Sequence, residues 1–130
     1  MTIKVISPEK VIYESSDVKE VLAPTTTGEI GILPKHQDLI SNLKVGELII
    51  KKNDSSDTVL LSGGLLQVKN DEIIILADEA DLPDALVKAE IEEAIRKAES
   101  KLSSTLPPTV LILIEKEIMY QKLKYNKAQL

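Results

Sequence analysis

His36 is the only histidine of the chain, and it closes the segment Gly28-Glu29-Ile30-Gly31-Ile32-Leu33-Pro34-Lys35-His36. An imidazole oriented by a carboxylate, here Glu29 or Asp38, has the makings of a general base. No nucleophile motif and no second titratable cluster stands near it in sequence, so a contact role is the stronger reading. Asp78-Glu79-Ala80-Asp81 gathers carboxylates suited to Mg²⁺ or Ca²⁺ but lacks the spacing of an EF-hand. It reads as a linker and helix start, with acids at the positive end of the dipole. One histidine without any cysteine does not assemble a zinc site. Ser62-Gly63-Gly64 lacks the Lys-Ser/Thr of a phosphate loop and reads as a tight bend between two strands, where backbones approach closely.

The chemistry left for Gly28 to His36 is therefore contact. Two glycines permit positive φ or close backbone approach, and Pro34 fixes φ and removes a donor. Such a run is a strand and turn held in one shape, with a polar tip offered to a partner.

Composition narrows the partner. The 130 residues carry a net charge of −5 and contain no Phe or Trp, only Tyr13, Tyr120 and Tyr125. A chain this acidic, and this poor in aromatic platforms, is not built for nucleic acid. An apolar share of 43% supports an aliphatic core. The bulky block Val110 to Ile114 is far shorter than the roughly 20 residues of a membrane span, so no direct insertion is expected. Residues 1–82 hold 8 basic and 14 acidic residues, whereas 115–130 hold 4 basic and 2 acidic. The basic tail reads as a solvated helix face.

Two grammars divide the chain at Leu82. Residues 1–82 show short β-prone runs, among them Ile3 to Ile6, Val18 to Ala23, Thr58 to Leu61 and Ile73 to Leu76, the last apolar throughout and expected to be buried on both faces. Turn signals such as Ser7-Pro8-Glu9-Lys10 and Lys69-Asn70-Asp71 separate them. This spacing predicts an all-β sandwich of about ten short strands. Residues 83–130 predict a C-terminal antiparallel α-helical hairpin. Its first helix carries the stripe Val87, Ile91, Ala94, Ile95, Ala98 and Leu102, with i,i+4 pairs Glu92–Arg96 and Glu93–Lys97. Its second helix runs from near Pro108 towards Gln129 with Leu111, Ile114, Ile118, Met119 and Leu123 as the stripe, although Val110 to Ile114 suits a strand equally.

Several stretches stand in order and register across residues 1–82: Ser7-Pro8-Glu9-Lys10-Val11-Ile12-Tyr13-Glu14, Val21-Leu22-Ala23-Pro24, the Gly28–His36 segment, Leu43-Lys44-Val45-Gly46-Glu47-Leu48, Leu61 to Val68, and Leu76-Ala77-Asp78-Glu79-Ala80. In these the chain resembles the epsilon subunit of F-type proton-translocating ATP synthases, called delta in mitochondria. The resemblance implies a non-catalytic rotor subunit whose β-domain clamps the gamma subunit onto the ring of c subunits. It implies a c-ring and gamma interface at Glu29, Ile32, Pro34, His36, Gln37, Asp38 and Leu39. It places the chain peripherally on the cytoplasmic face of a bacterial plasma membrane or, for a plastid-encoded protein, on the stromal face of the thylakoid.

The family's hairpin regulates ATP hydrolysis by extending into the catalytic head, which makes an inhibitory regulator the alternative function. Lys116, Lys122, Lys124 and Lys127 are then the regulatory contacts with alpha and beta subunits. Some relatives bind ATP in the folded hairpin. Here Lys88 stands where an arginine is expected, Pro83 disturbs the register and the last helix has no arginine, so no cofactor is assigned. A small enzyme using His36 with Glu29, and a stand-alone carbohydrate or peptide binder, are the remaining readings.

Overall fold

A computed structural model describes residues 1–103 and 105–128. The chain divides into two compact units, Met1–Leu82 and Pro83–Leu130. Among the described residues the first holds eight strands: β1 (Thr2–Ile6), β2 (Val11–Ser15), β3 (Glu20–Thr25), β4 (Gly28–Ile32), β5 (Leu39–Lys51), β6 (Ser56–Lys69), β7 (Glu72–Ala77) and β8 (Ala80–Asp81). They form one sheet in the order β2-β1-β7-β6-β5-β3-β4, with β8 beside β6. Only β1 and β7 run parallel; the other pairs are antiparallel.

The sheet, open at β2 and β4, folds over as a β-sandwich because alternate residues of most strands are apolar and face one interior. Val5, Val21, Ile32, Leu48, Ile50, Val59, Leu66 and Ile75 are fully buried in a single aliphatic core. The alternation corrects one expectation. Ile73 and Ile75 are buried, but Leu76 is 49% exposed, so β7 has one covered face and not two.

The strands are fewer and longer than expected, because Ser62-Gly63-Gly64 does not end a strand. β5 and β6 pair in one unbroken register from Leu39 opposite Val68 to Lys51 opposite Ser56. The glycines bend β6 within this ladder. Gly64 has φ 142°, and a Cβ there would lie 2.2 Å from the carbonyl oxygen of Leu76, a separation no side chain tolerates. Close backbone approach is the reason for the glycine; the break in the strand is what sequence misread.

The ends of the sandwich are tied by side chains. The Tyr13 hydroxyl of β2 donates to Oδ2 of Asp57 on β6 at 2.6 Å, and Lys52 pairs with the same carboxylate at 3.2 Å. The Tyr13 hydrogen bond, then Lys52, holds the Asp57 carboxyl below the usual range, while burial and Asp57 push the Tyr13 phenol up.

In the second unit, the expected helix start at Pro83 is a 3-10 turn over Pro83–Ala85, and α1 spans Lys88–Ser100. The preceding Ala80 and Asp81 are drawn into the sheet against Leu61 and Leu60. Val87 and Leu102 fall outside the helix and are exposed, leaving Ile91 and Ala98 as the buried stripe. Helix α2 spans Pro108–Lys127 with proline at its first position, where a missing N–H is harmless. Val110 to Ile114 is helical. Glu92 of α1 bonds the Tyr125 hydroxyl near the end of α2, and Lys88 lies over the same ring, so the helices are antiparallel. Arg96 pairs with Glu93, three residues back, while Glu92 is drawn to Tyr125. The C-terminal end of the expected helix, at Gln129, lies outside the described residues.

Candidate functional site

The segment 28–39 starts from a hairpin. Thr25 and Gly28 face each other across Thr26-Thr27, the Thr25 hydroxyl donates to the Gly28 carbonyl, and Gly28 takes φ 127°. Here glycine is required by conformation. Gly31 is not: its φ is ordinary, and a Cβ would meet only side-chain atoms of Glu20 and Leu22 at 3.4–3.5 Å. The resulting strand β4 is an edge of the sheet, paired to β3 on one side only. Its alternation turns Glu29 outward and Ile32 inward.

Beyond β4 the chain makes a tight turn. The His36 amide donates to the Leu33 carbonyl at 3.1 Å, and Lys35 at the apex takes φ 66°, a left-handed conformation that disfavours a residue with a Cβ by roughly 1–2 kcal/mol. The Lys35 amide donates to Oδ1 of Asp71 at 2.9 Å. That bond, foremost, holds the Asp71 carboxyl below its usual range, and the amino group of Met1 adds to the effect from 3.6 Å. In the opposite sense, the Asn70 amide donates to Oδ1 of Asp38 at 3.3 Å. Two carboxylates, one on each side, fasten the loop 33–38 to the β6–β7 turn.

The expected contact residues separate on this geometry. Glu29, Pro34, Gln37 and Asp38 are exposed, and His36 and Leu39 are half-buried. Leu39 packs against the core. Ile32 is wholly buried within the sandwich and offers no surface to a partner, because β4 points it inward. Its place among the interface residues is corrected to a core anchor beneath the loop. Sequence reasoning passed over Leu33 and Ile40, 56% and 68% exposed, which flank the polar tip. The signal for Ile40 was available: of the consecutive Leu39 and Ile40 in one strand, only one faces inward. Asp71 was read only as a turn residue.

Acid–base chemistry finds no support in the arrangement. Nδ1 of His36 lies 2.7 Å from the Gln37 carbonyl, which only accepts, so that nitrogen carries the proton. Asp38 is turned to Asn70. Neither carboxylate orients the imidazole in the way a base requires.

On α2, Lys116 and Lys124 are half-buried, and Lys122 and Lys127 are exposed. Lys124 lies 5.2 Å over the Tyr120 ring. At 100° per residue, Lys116, Lys124 and Lys127 share a side with Ile112, Leu113 and Met119, while Lys122 falls on another. Met119, expected in the stripe, is 59% exposed; Ile112 and Leu113 are 63% and 65% exposed. No described helix is long and apolar enough to cross a membrane.

Comparison with known proteins agrees over the whole sandwich. Residues 1–83 match the model of the ATP synthase Delta/Epsilon chain beta-sandwich domain. An ATP synthase epsilon chain of Alkalihalophilus pseudofirmus is 41% identical over 103 residues, covering 79% of this chain and 77% of the relative. One from Dichelobacter nodosus is 36% identical over 128 residues, 97% of this chain and 82% of its own length. Among solved structures, a chain of the Euglena gracilis mitochondrial ATP synthase (OSCP/F1/c-ring) superposes with a TM-score of 0.74 at 21% identity, covering 95% of this chain and 79% of its own. One of the Tetrahymena thermophila mitochondrial ATP synthase central stalk and c-ring gives 0.61 at 15%, covering 96% of each chain. At these identities the two structures speak for the fold.

Proposed function

The chain belongs to the ATP synthase delta/epsilon family, as a non-catalytic epsilon subunit, and from that premise we propose that it works in the central stalk, clamping gamma onto the c ring. Rotation driven by proton flow is thereby passed to the catalytic head. The segment 28–39 is the surface that meets the c ring and gamma, with Glu29, Pro34, His36, Gln37 and Asp38 as contacts and Leu33 and Ile40 as an apolar frame. One observation carries this reading: the loop is fastened to the β6–β7 hairpin at its apex, by Lys35 to Asp71, and at its far end, by Asn70 to Asp38. A surface that transmits torque has to be stiff. An exposed carboxylate at Glu29 fits basic residues on a facing loop, where charge complementarity fixes register. The subunit sits peripherally, on the cytoplasmic face of a bacterial plasma membrane in this proposal, with the thylakoid stromal face as the plastid counterpart.

The test is co-sedimentation of the purified chain with gamma and detergent-solubilised c rings. Wild type forms the ternary complex, and Glu29→Lys weakens it by about ten-fold or more, the scale of a charge reversal at a docked surface. A wild-type chain that binds neither partner refutes the proposal.

The exposed face of α2 favours a second reading alongside the first. Exposed Ile112, Leu113 and Met119 share a side of α2 with Lys116, a mixed apolar and basic surface suited to alpha and beta subunits. Under this reading, removing residues 83–130 raises ATP hydrolysis by the assembled complex; unchanged hydrolysis leaves the hairpin without an inhibitory role. No nucleotide is assigned to the hairpin.

A further inference from the structure

The β6–β7 turn is a hairpin connection of the mirror-image type, with Asn70 and Asp71 at φ 51° and 62° between the paired Lys69 and Glu72. Asn and Asp tolerate such angles, which accounts for the turn. It does not account for where the Asp71 side chain goes. The backbone of Asp71 is held from a second strand, since the Thr2 amide of β1 donates to its carbonyl at 3.3 Å. From that fixed base its carboxylate reaches across 36 residues of sequence to the amide of Lys35 at the apex of the loop. Lys35 is the one described residue of that loop with positive φ. A non-glycine residue keeps a left-handed conformation only where its surroundings enforce it. A carboxylate accepting its amide is such an enforcing partner, and an ionised acceptor makes the stronger hydrogen bond.

We propose that Asp71 is the positioning residue of the loop 33–38: by holding the Lys35 amide it selects the turn that presents Pro34, His36 and Gln37 together, and so sets the affinity of that surface for the c ring. Asp38 reinforces the arrangement from the other side through Asn70. The functional part rests on the rotor reading above; the structural part does not. Without Asp71 the apex relaxes towards ordinary φ, the three side chains scatter, and binding has to order them again, which lowers affinity.

Two readouts test this on the full chain. In amide-resolved NMR, the Lys35 N–H resonance of wild type titrates with the Asp71 carboxylate, below the ordinary carboxylate range; it stops titrating in Asp71→Asn and moves upfield in Asp71→Ala. In binding to c rings, Asp71→Ala loses about five-fold or more in affinity, Asp71→Asn regains part of it by keeping an acceptor oxygen, and Asp54→Ala, in the distant β5–β6 turn, is unchanged. Thermal unfolding of each variant shows that the fold is kept. A Lys35 resonance indifferent to Asp71, or c-ring binding unaltered in Asp71→Ala, overturns the proposal. Wild type that binds no c ring overturns the functional part together with the rotor reading, and the Lys35 titration then decides the structural part by itself.

Discussion

Ile32 and Pro34 are two residues apart, yet one is wholly buried and the other exposed. The pleat of β4 makes the difference, and it separates residues that shape the surface from residues that form it. Ile32→Ala removes a buried aliphatic side chain and is expected to destabilise the sandwich by about 2–5 kcal/mol in urea unfolding. Tyr13 tests the residue scale from another direction. Its hydroxyl donates to Asp57 and is the foremost cause of that carboxyl's lowered pKa. Asp57 binds protons less readily folded than unfolded, so its contribution is present above the unfolded value, about 3.9, and is lost as pH falls through the folded one. The carboxylate is 41% exposed, and solvent screening keeps the effect small. Tyr13→Phe is expected to lose about 1 kcal/mol at neutral pH, with the gap to wild type closing below about pH 3.9. A gap of constant size down to pH 2 contradicts the Asp57 assignment.

At the scale of elements, β6 shows most clearly what sequence conceals. Val59 to Leu61 and Leu65 to Val68 are legible as β-prone runs, and Gly63-Gly64 between them looks like punctuation. A glycine that ends a strand and a glycine that bends one leave the same mark; what separates them is the Leu76 carbonyl 2.2 Å from the position of a Cβ, contributed by a strand twelve residues on. Gly64→Ala is therefore expected to be destabilising by roughly 3 kcal/mol or more, combining a φ that only glycine takes readily with a steric overlap. Thermal unfolding measures it, and a shift within about 1 °C of wild type refutes the account of the bend. The helices were legible in a different proportion. Ile91, Ala98 and Ile114 follow from spacing alone, whereas Met119 does not, because periodicity predicts a stripe but not how wide a stripe the neighbouring helix covers.

At the scale of the whole molecule, the function became readable through residues that do little by chemistry. His36 carries the most reactive side chain of the loop, but its imidazole is bound to the neighbouring Gln37 carbonyl. That Glu29 and Pro34 are exposed was legible, because a β-prone run closed by Pro-Lys-His has to end at the surface. Asp71 was not, since a contact across 36 residues leaves no local pattern. The two units divide the work proposed here: the sandwich holds a stiff surface against the rotor ring, and the hairpin carries the exposed Ile112, Leu113 and Met119 to a separate partner. The most direct test of the central claim is ATP-driven proton pumping into vesicles by an ATP synthase stripped of this chain and then resupplied with it. Wild type and Asp54→Ala, in the distant β5–β6 turn, are expected to restore pumping, and Glu29→Lys to restore it poorly at equal concentration. Pumping that is the same with and without the chain contradicts the account.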